Sequence, residues 1–265
     1  MDRIGEKLAA GQPRAVCEPA SVYIPVNDYG QPKRLVVESP VDIRQIPFTQ
    51  TEHVLLSLAT IVEQRDKHTA GHCERIAFTS VALGIAMHLD RASLLALYLA
   101  GFLHDVGKVG IPDYVLFKPD KLTAAEWEIM RGHAASGEEI CKPLQSLRCV
   151  LPIIRHHHER WDGTGYPDGL QGEEIPLLAR VLQVADIYDA LTNPRPYKHA
   201  FSTSRALDVL EEETARGWRD PEITATFVRL HKPMLSKIAD YRAENHESLD
   251  SMQASLNRLQ DFLSQ

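Results

Sequence analysis

Ala96-Leu97-Tyr98-Leu99-Ala100-Gly101-Phe102-Leu103-His104-Asp105-Val106-Gly107-Lys108 is the stretch on which the chain turns. A run that is apolar nearly all round predicts a helix at the centre of a core, and polar groups emerging from its end need partners. His104 and Asp105 emerge there. Neutral imidazole and carboxylate are what a borderline divalent metal takes as ligands, and Lys108, one turn on, suits the phosphate that such a metal activates. Taken alone, a His-Asp pair fits a capped helix end with a solvated carboxylate equally well. Its company shifts the balance: His68, His72, His133, His156, His157, His158 and Asp186.

Composition sets the limits. At 265 residues and 44% hydrophobic, the chain has enough apolar material for one large core, or a core with a small appendage. The longest apolar stretches, Val81 to Met87 and Leu94 to Leu103, are broken by polar residues and fall short of the roughly 18 residues of a membrane span. The N-terminus leads into no signal-like apolar segment, so a cytoplasmic location and no membrane partner are expected. Cys17, Cys73, Cys141 and Cys149 form no C-x-x-C pair and are expected to be reduced, buried thiols. A formal charge of -7 gives no general attraction to nucleic acid polymers, so an anionic substrate needs local cations. Twelve histidines is the anomaly, and nine of them fall between His53 and His158.

Residues 1–48 hold six prolines and two short β-prone runs around the turn Asn27-Asp28-Tyr29-Gly30, which predicts a small hairpin. From Thr51 the period becomes helical, with Val54, Leu55, Leu58, Ile61 and Val62 as one buried face. Helical patterns continue to the end, punctuated at Gly110-Ile111-Pro112, Lys118-Pro119, Gly163 to Pro167 and Asn193-Pro194, with no β pattern after residue 50. Leu249, Met252, Leu256, Leu259 and Leu263 have heptad spacing for only about two heptads, so packing on the parent domain is favoured over homodimer formation.

On a helix, His68 and His72 would face the same way. Thr123-Ala124-Ala125-Glu126 reads as a capping box that begins the helix carrying His133, itself as fit for a core histidine as for a ligand. Three consecutive histidines, His156 to His158, cannot all face one point, but two can point inward from a helix end. Asp186 stands isolated in the apolar helix Val181 to Asp186, with Asp189 three residues on along one face. A buried unpaired carboxylate is costly, which favours ligation.

The elements His104-Asp105-Val106-Gly107-Lys108, Ile111-Pro112-Asp113, Lys118-Pro119, His157-His158-Glu159, Asp162-Gly163-Thr164-Gly165-Tyr166-Pro167, Val184-Ala185-Asp186, Ala190-Leu191-Thr192 and Arg195-Pro196-Tyr197 run in order. Together they resemble the HD-GYP domain family, metal-dependent phosphodiesterases of the HD superfamily that act on the bacterial messenger cyclic di-GMP. The resemblance runs from about Glu63 to Pro221. It implies an all-α HD-domain helical bundle over 51–240, with residues 1–48 as a short N-terminal segment and 241–265 as a C-terminal helix.

By position, the resemblance implies that His72, His104, Asp105 and Asp186 hold one metal and that Asp105, His133, His157 and His158 hold a second. Asp105 would bridge them. It implies structural roles for Asp66 and Arg75, leaves His156 outside the pattern, places Lys108 as the catalytic lysine at the scissile phosphate, and makes Asp189, Arg195, Lys198 and Tyr166 substrate contacts. Members with a third metal carry a glutamate four residues before the first ligand histidine. His68 stands there in this chain, so two metals are expected. A set of nitrogen and oxygen donors without thiolate suits iron or manganese and accepts zinc.

The implied activity is hydrolysis of the 3'-5' phosphodiester of cyclic di-GMP to linear pGpG, and to GMP by a second cut, through a metal-bridging hydroxide. The Gly165-Tyr166-Pro167 loop is associated in the family with substrate access and with contacts to partners such as GGDEF proteins. The alternatives are an inactive cyclic di-GMP sensor, or an HD hydrolase for another cyclic nucleotide. Arg216 to Pro221 keeps only part of the family pattern, and its distance in sequence from the ligands argues for little bearing on activity.

Overall fold

In the computed structural model, residues 56–57, 59–63, 71–193 and 200–231 are described. Seven named helices follow one another: α1 (His72–Ala86), α2 (Arg91–Leu103), α3 (Asp113–Leu116), α4 (Ala124–Cys141), α5 (Leu151–His156), α6 (Leu177–Thr192) and α7 (Thr203–Ala215). Residues 221–231 are helical as well. No strand occurs among the described residues, where the β pairing is one isolated bridge between Asp162 and Gln171. The all-α expectation holds. The expected N-terminal hairpin and C-terminal helix lie outside the described residues.

The apolar run forms the central helix. Asp90 caps α2 by accepting from Ser93 N at 2.8 Å, satisfying an amide that has no partner inside the helix. Every residue from Ala96 to Leu103 is buried, because α2 packs on α1, α5 and α6. Arg91–Gly110 is long and apolar enough to cross a membrane by length and composition, at mean hydropathy 1.2, a stretch that apolar run lengths alone do not reveal. Since 61% of that window is buried inside the bundle, its apolarity is already used by the core.

At the end of α2 the chain tightens into a 3-10 turn, Val106–Gly110, laid against α4. Their approach depends on Gly107, where a Cβ would come within 1.9 Å of the His133 carbonyl oxygen. The helix α4 starts at the predicted place. Thr123 Oγ1 accepts from Glu126 N at 3.3 Å, and Glu126 accepts from Thr123 N at 2.7 Å. This capping box sets the register that turns His133 inward.

Two local expectations are corrected. Among the described residues of the first helical segment Leu56, Ala59 and Val62 are buried, whereas Ile61 is 59% exposed, and Val54, Leu55 and Leu58 lie outside the described residues. Small Ala59 carries the contact, a position that a count of large apolar residues passes over. The continuous helix that would align His68 with His72 is interrupted, because Gly71 is left-handed at φ 71 and α1 begins only at His72. His68 itself lies outside the described residues. Of the thiols, Cys73 and Cys141 are buried as expected, but Cys149 is exposed.

The glycine at the turn gives a test of sign. Gly107→Ala should destabilise the fold by about 2 kcal/mol or more, through forced movement of α4. Gly132→Ala, where a Cβ meets nothing within 4 Å on the same helix, should stabilise it by about 0.5–1 kcal/mol. Urea unfolding of both variants measures the pair, and equal shifts would contradict the packing described.

Candidate metal centre

Two groups of side chains converge where α2 ends. One ligand atom from each of Asp105, His133, His157 and His158 lies within 4.8 Å of the others, and the same holds for His72, His104 and Asp186. Asp105 joins the two groups. Its Oδ2 is 3.3 Å from His104 Nε2, and its Oδ1 is 3.2 Å from His133 Nε2. His72 Nε2 lies 3.6 Å from Asp186 Oδ1, and His133 Nε2 lies 3.4 Å from His157 Nε2.

The far side of each ring explains why these nitrogens face inward. Nδ1 of His104, His133 and His157 meets the carbonyl three residues back, on Gly101, Met130 and Ile154, at 3.0, 2.7 and 2.7 Å. A carbonyl only accepts, so each Nδ1 carries a proton and Nε2 is the nitrogen turned to the centre. His72 is held differently, with Nδ1 2.7 Å from Asp189 Oδ2. Carboxylate–imidazole pairs of this kind fix the orientation of a ring toward a metal. The buried His104 Nε2 has no hydrogen-bond partner, which is costly unless something else binds it.

The electrostatics are those of a donor set. Burial, then the neighbouring His158, His104 and His133, pushes His157 well below its usual range, and burial with His133 takes His158 down to about 3. Both are neutral lone-pair donors at pH 7. Burial also disfavours charge on His104, but Asp105 and Asp186 outweigh it and hold the imidazole up at about 8. Burial opposes ionised Asp105 as well, yet Lys108 and His104 keep it well below the ordinary carboxylate range. Lys108 Nζ is 2.7 Å from Asp105 Oδ2. Nitrogen and oxygen donors, pre-set tautomers and an orphaned imidazole nitrogen fit a pair of divalent ions.

All seven expected ligands therefore come together, and Lys108 stands beside them. His156 lies outside the set, its Nδ1 turned to Asp168 Oδ2 at 3.4 Å. Tyr166 leans over His158, ring centroids 4.8 Å apart, at the rim. Arg195 and Lys198 lie outside the described residues. Asp189 is corrected. It is 6% exposed, with its carboxylate taken by His72 Nδ1 and by Arg75, whose Nε donates to Oδ1 and whose Nη2 donates to Oδ2 at 3.0 Å. The three-residue spacing does put Asp189 on the face of Asp186, but one turn deeper, where its carboxylate is paired with His72 and Arg75. Arg75 is structural, as expected.

Other positions gain a role. Gln183 Nε2 donates to the His157 carbonyl at 3.1 Å and to that of Glu159, tying α6, which carries Asp186, to the histidine pair. Glu159 is fully buried, and its Oε1 accepts from Asp168 N at 2.7 Å and Gly169 N at 3.1 Å, fixing the loop that carries Tyr166. Both act through backbone partners that no spacing reveals. The segment Arg216 to Pro221 is not remote in space. Trp161 N donates to Trp218 O at 3.2 Å, Arg180 binds Asp220 at 2.6 Å, and the Arg160 guanidinium lies 4.1 Å from the Trp218 ring, so this segment braces the same loop.

A model of the HD domain matches residues 57–223. A cyclic di-GMP phosphodiesterase of Thermotoga maritima is 37% identical over 207 residues, covering 76% of this chain and 55% of that protein. The 3'3'-cGAMP-specific phosphodiesterase 3 of Vibrio cholerae is 38% identical over 161 residues, covering 61% of this chain and 35% of that protein. The chain thus spans about a third to a half of these relatives' length. Among solved structures, a cyclic GMP-AMP specific phosphodiesterase of V. cholerae aligns with TM-score 0.54 at 21% identity, over 78% of this chain and 53% of that one, a likeness of fold.

The Asp189 pairing predicts an effect without any ligand being touched. Asp189→Asn, which cannot accept from His72 and Arg75 with two charged oxygens, should weaken metal binding by about 10–100-fold. Competition against a chromophoric chelator measures this, and unchanged affinity would contradict the role given to Asp189.

Proposed function

The chain belongs to the HD domain family, in the HD-GYP form marked by its Gly165-Tyr166-Pro167 loop, and from that premise we propose that it is a metal-dependent cyclic di-GMP phosphodiesterase. It opens the 3'-5' phosphodiester to give linear pGpG, and GMP by a second cut. The observation that carries this is the division of the Asp105 carboxylate, one oxygen toward His104 and the other toward His133. Such a carboxylate suits a bridge between two ions, held by His72, His104, Asp105 and Asp186 and by Asp105, His133, His157 and His158. Iron or manganese suits this donor set best, and zinc is accepted. When bound, the ions supply Lewis acidity and a water acidified toward neutral pH.

The chain's own residues do the rest. Carbonyl-anchored imidazoles hold their Nε2 atoms in place without reorganisation, so that donor positions are fixed before substrate arrives. Lys108, whose ammonium already lies against Asp105, is poised to turn to a non-bridging phosphate oxygen and neutralise charge as the bond breaks. Tyr166 walls the rim over His158 and limits solvent access. Arg195 and Lys198 are proposed as further nucleotide contacts on the strength of the family pattern, and the Tyr166 loop as a surface for GGDEF-type partners. The free thiols of Cys73 and Cys141 support a reducing compartment, the cytoplasm. A second substrate, 3'3'-cGAMP, is favoured by the V. cholerae relative of similar identity.

Turnover of cyclic di-GMP by the purified full chain, with metal content measured in parallel, tests the proposal. Asp105→Ala should lose both ions. Lys108→Ala should keep them and lose about 10²–10³ in kcat. Tight binding without turnover by the metal-loaded wild type would contradict the proposal and leave a sensor, and equal metal loss in the two variants would remove the role of Lys108.

A further inference from the structure

Rings and a guanidinium form a column at the rim of the site. His133 and His158 have centroids 5.0 Å apart, His158 and Tyr166 4.8 Å, and the Arg131 guanidinium carbon lies 5.4 Å from the Tyr166 centroid. The column starts on two ligand candidates and ends on a planar cation. Two arginines stand near Tyr166, and they are committed differently. Arg160 lies 4.1 Å from the Trp218 ring and donates to Thr164 at 3.4 Å, both contacts within the brace of the loop. Arg131 has an ion pair with Glu128 at 3.1 Å, in which both side chains are largely exposed, 48% and 72%. Exposed pairs are weak and readily exchanged. One of its five N–H donors meets Glu128, and the rest of the fork remains available at the rim.

We infer that Arg131 is a specificity-determining residue that reads the Hoogsteen edge of a guanine base, so that the site prefers guanine to adenine at that place in a cyclic dinucleotide. This rests on the proposed cyclic dinucleotide substrate. The guanidinium carbon of Arg131 lies over the Tyr166 ring, and the planar fork of an arginine matches two coplanar acceptors. Guanine offers O6 and N7, whereas adenine offers N7 beside an N6 donor that opposes the guanidinium. A purine stacked on Tyr166 would bring its edge beside Arg131. Cyclic di-GMP presents a guanine in either orientation and cyclic di-AMP in neither, whereas 3'3'-cGAMP can turn its one guanine to the fork, so a single fork beside the site separates the first two.

The test is the ratio of dissociation constants of the full chain for cyclic di-GMP and cyclic di-AMP, measured by titration calorimetry with metal chelated to stop turnover, together with the ratio of kcat/KM in metal-loaded protein. Wild type should favour cyclic di-GMP. Arg131→Gln, whose amide suits adenine N6 and N7, should reduce that preference roughly tenfold, through KM more than kcat. Arg131→Lys should lose the preference too, because charge is kept and the fork is not. A wild-type ratio in Arg131→Lys would make the contact one of charge alone and overturn the inference, as would an unchanged ratio in Arg131→Gln or a wild-type preference for cyclic di-AMP. If metal-loaded wild type turns over neither dinucleotide, the proposed substrate fails and the inference with it. Discrimination that ignores Arg131 removes the inference alone.

Discussion

Asp105 stands at the end of a buried apolar helix with one carboxylate oxygen toward each of two imidazole groups. That constraint shapes much of what surrounds it. Gathering histidines and carboxylates out of water is expensive unless their lone pairs and protons are all met. The protein meets the protons with backbone carbonyls and the Asp189 carboxylate, and leaves the lone pairs facing one another across a gap that suits cations. The close approach at Gly107 brings the Asp105 turn and the His133 helix near enough for one carboxylate to serve both groups.

The supporting contacts make this arrangement rigid. Gln183 joins the helix of Asp186 to the backbone of His157 and Glu159. Buried Glu159 then pins Asp168 and Gly169 of the following loop, while Trp218 and Asp220 hold that loop from the other side. Tyr166 inherits its place over His158 from these anchors. Positioning of this order lets a site act by fixed electrostatics with little reorganisation.

Much of this was legible in the sequence. The run Ala96 to Leu103 gave away a core helix because it is apolar on every face, and His104 and Asp105 at its end had to emerge at the core boundary. The capping box at Thr123 located the start of the helix that presents His133. What spacing could not convey was depth and partner. Asp189 shares a face with Asp186, yet Arg75 and His72 arrive from a helix more than a hundred residues earlier and pair with its carboxylate. Glu159 and Gln183 work through backbone groups, which every residue has, so nothing in their neighbourhood marks them out. Trp218 looked remote because distance along the chain is not distance in the fold. Ile61 misled because hydrophobicity alone does not say which apolar residues a small Ala59 will let close.

Bridging by Asp105 is the central physical claim, and electron paramagnetic resonance of the manganese-reconstituted chain, read beside its metal content, tests it most directly. The account predicts two manganese ions per chain with an exchange-coupled spectrum. One ion per chain, or two ions with independent mononuclear spectra, would contradict it.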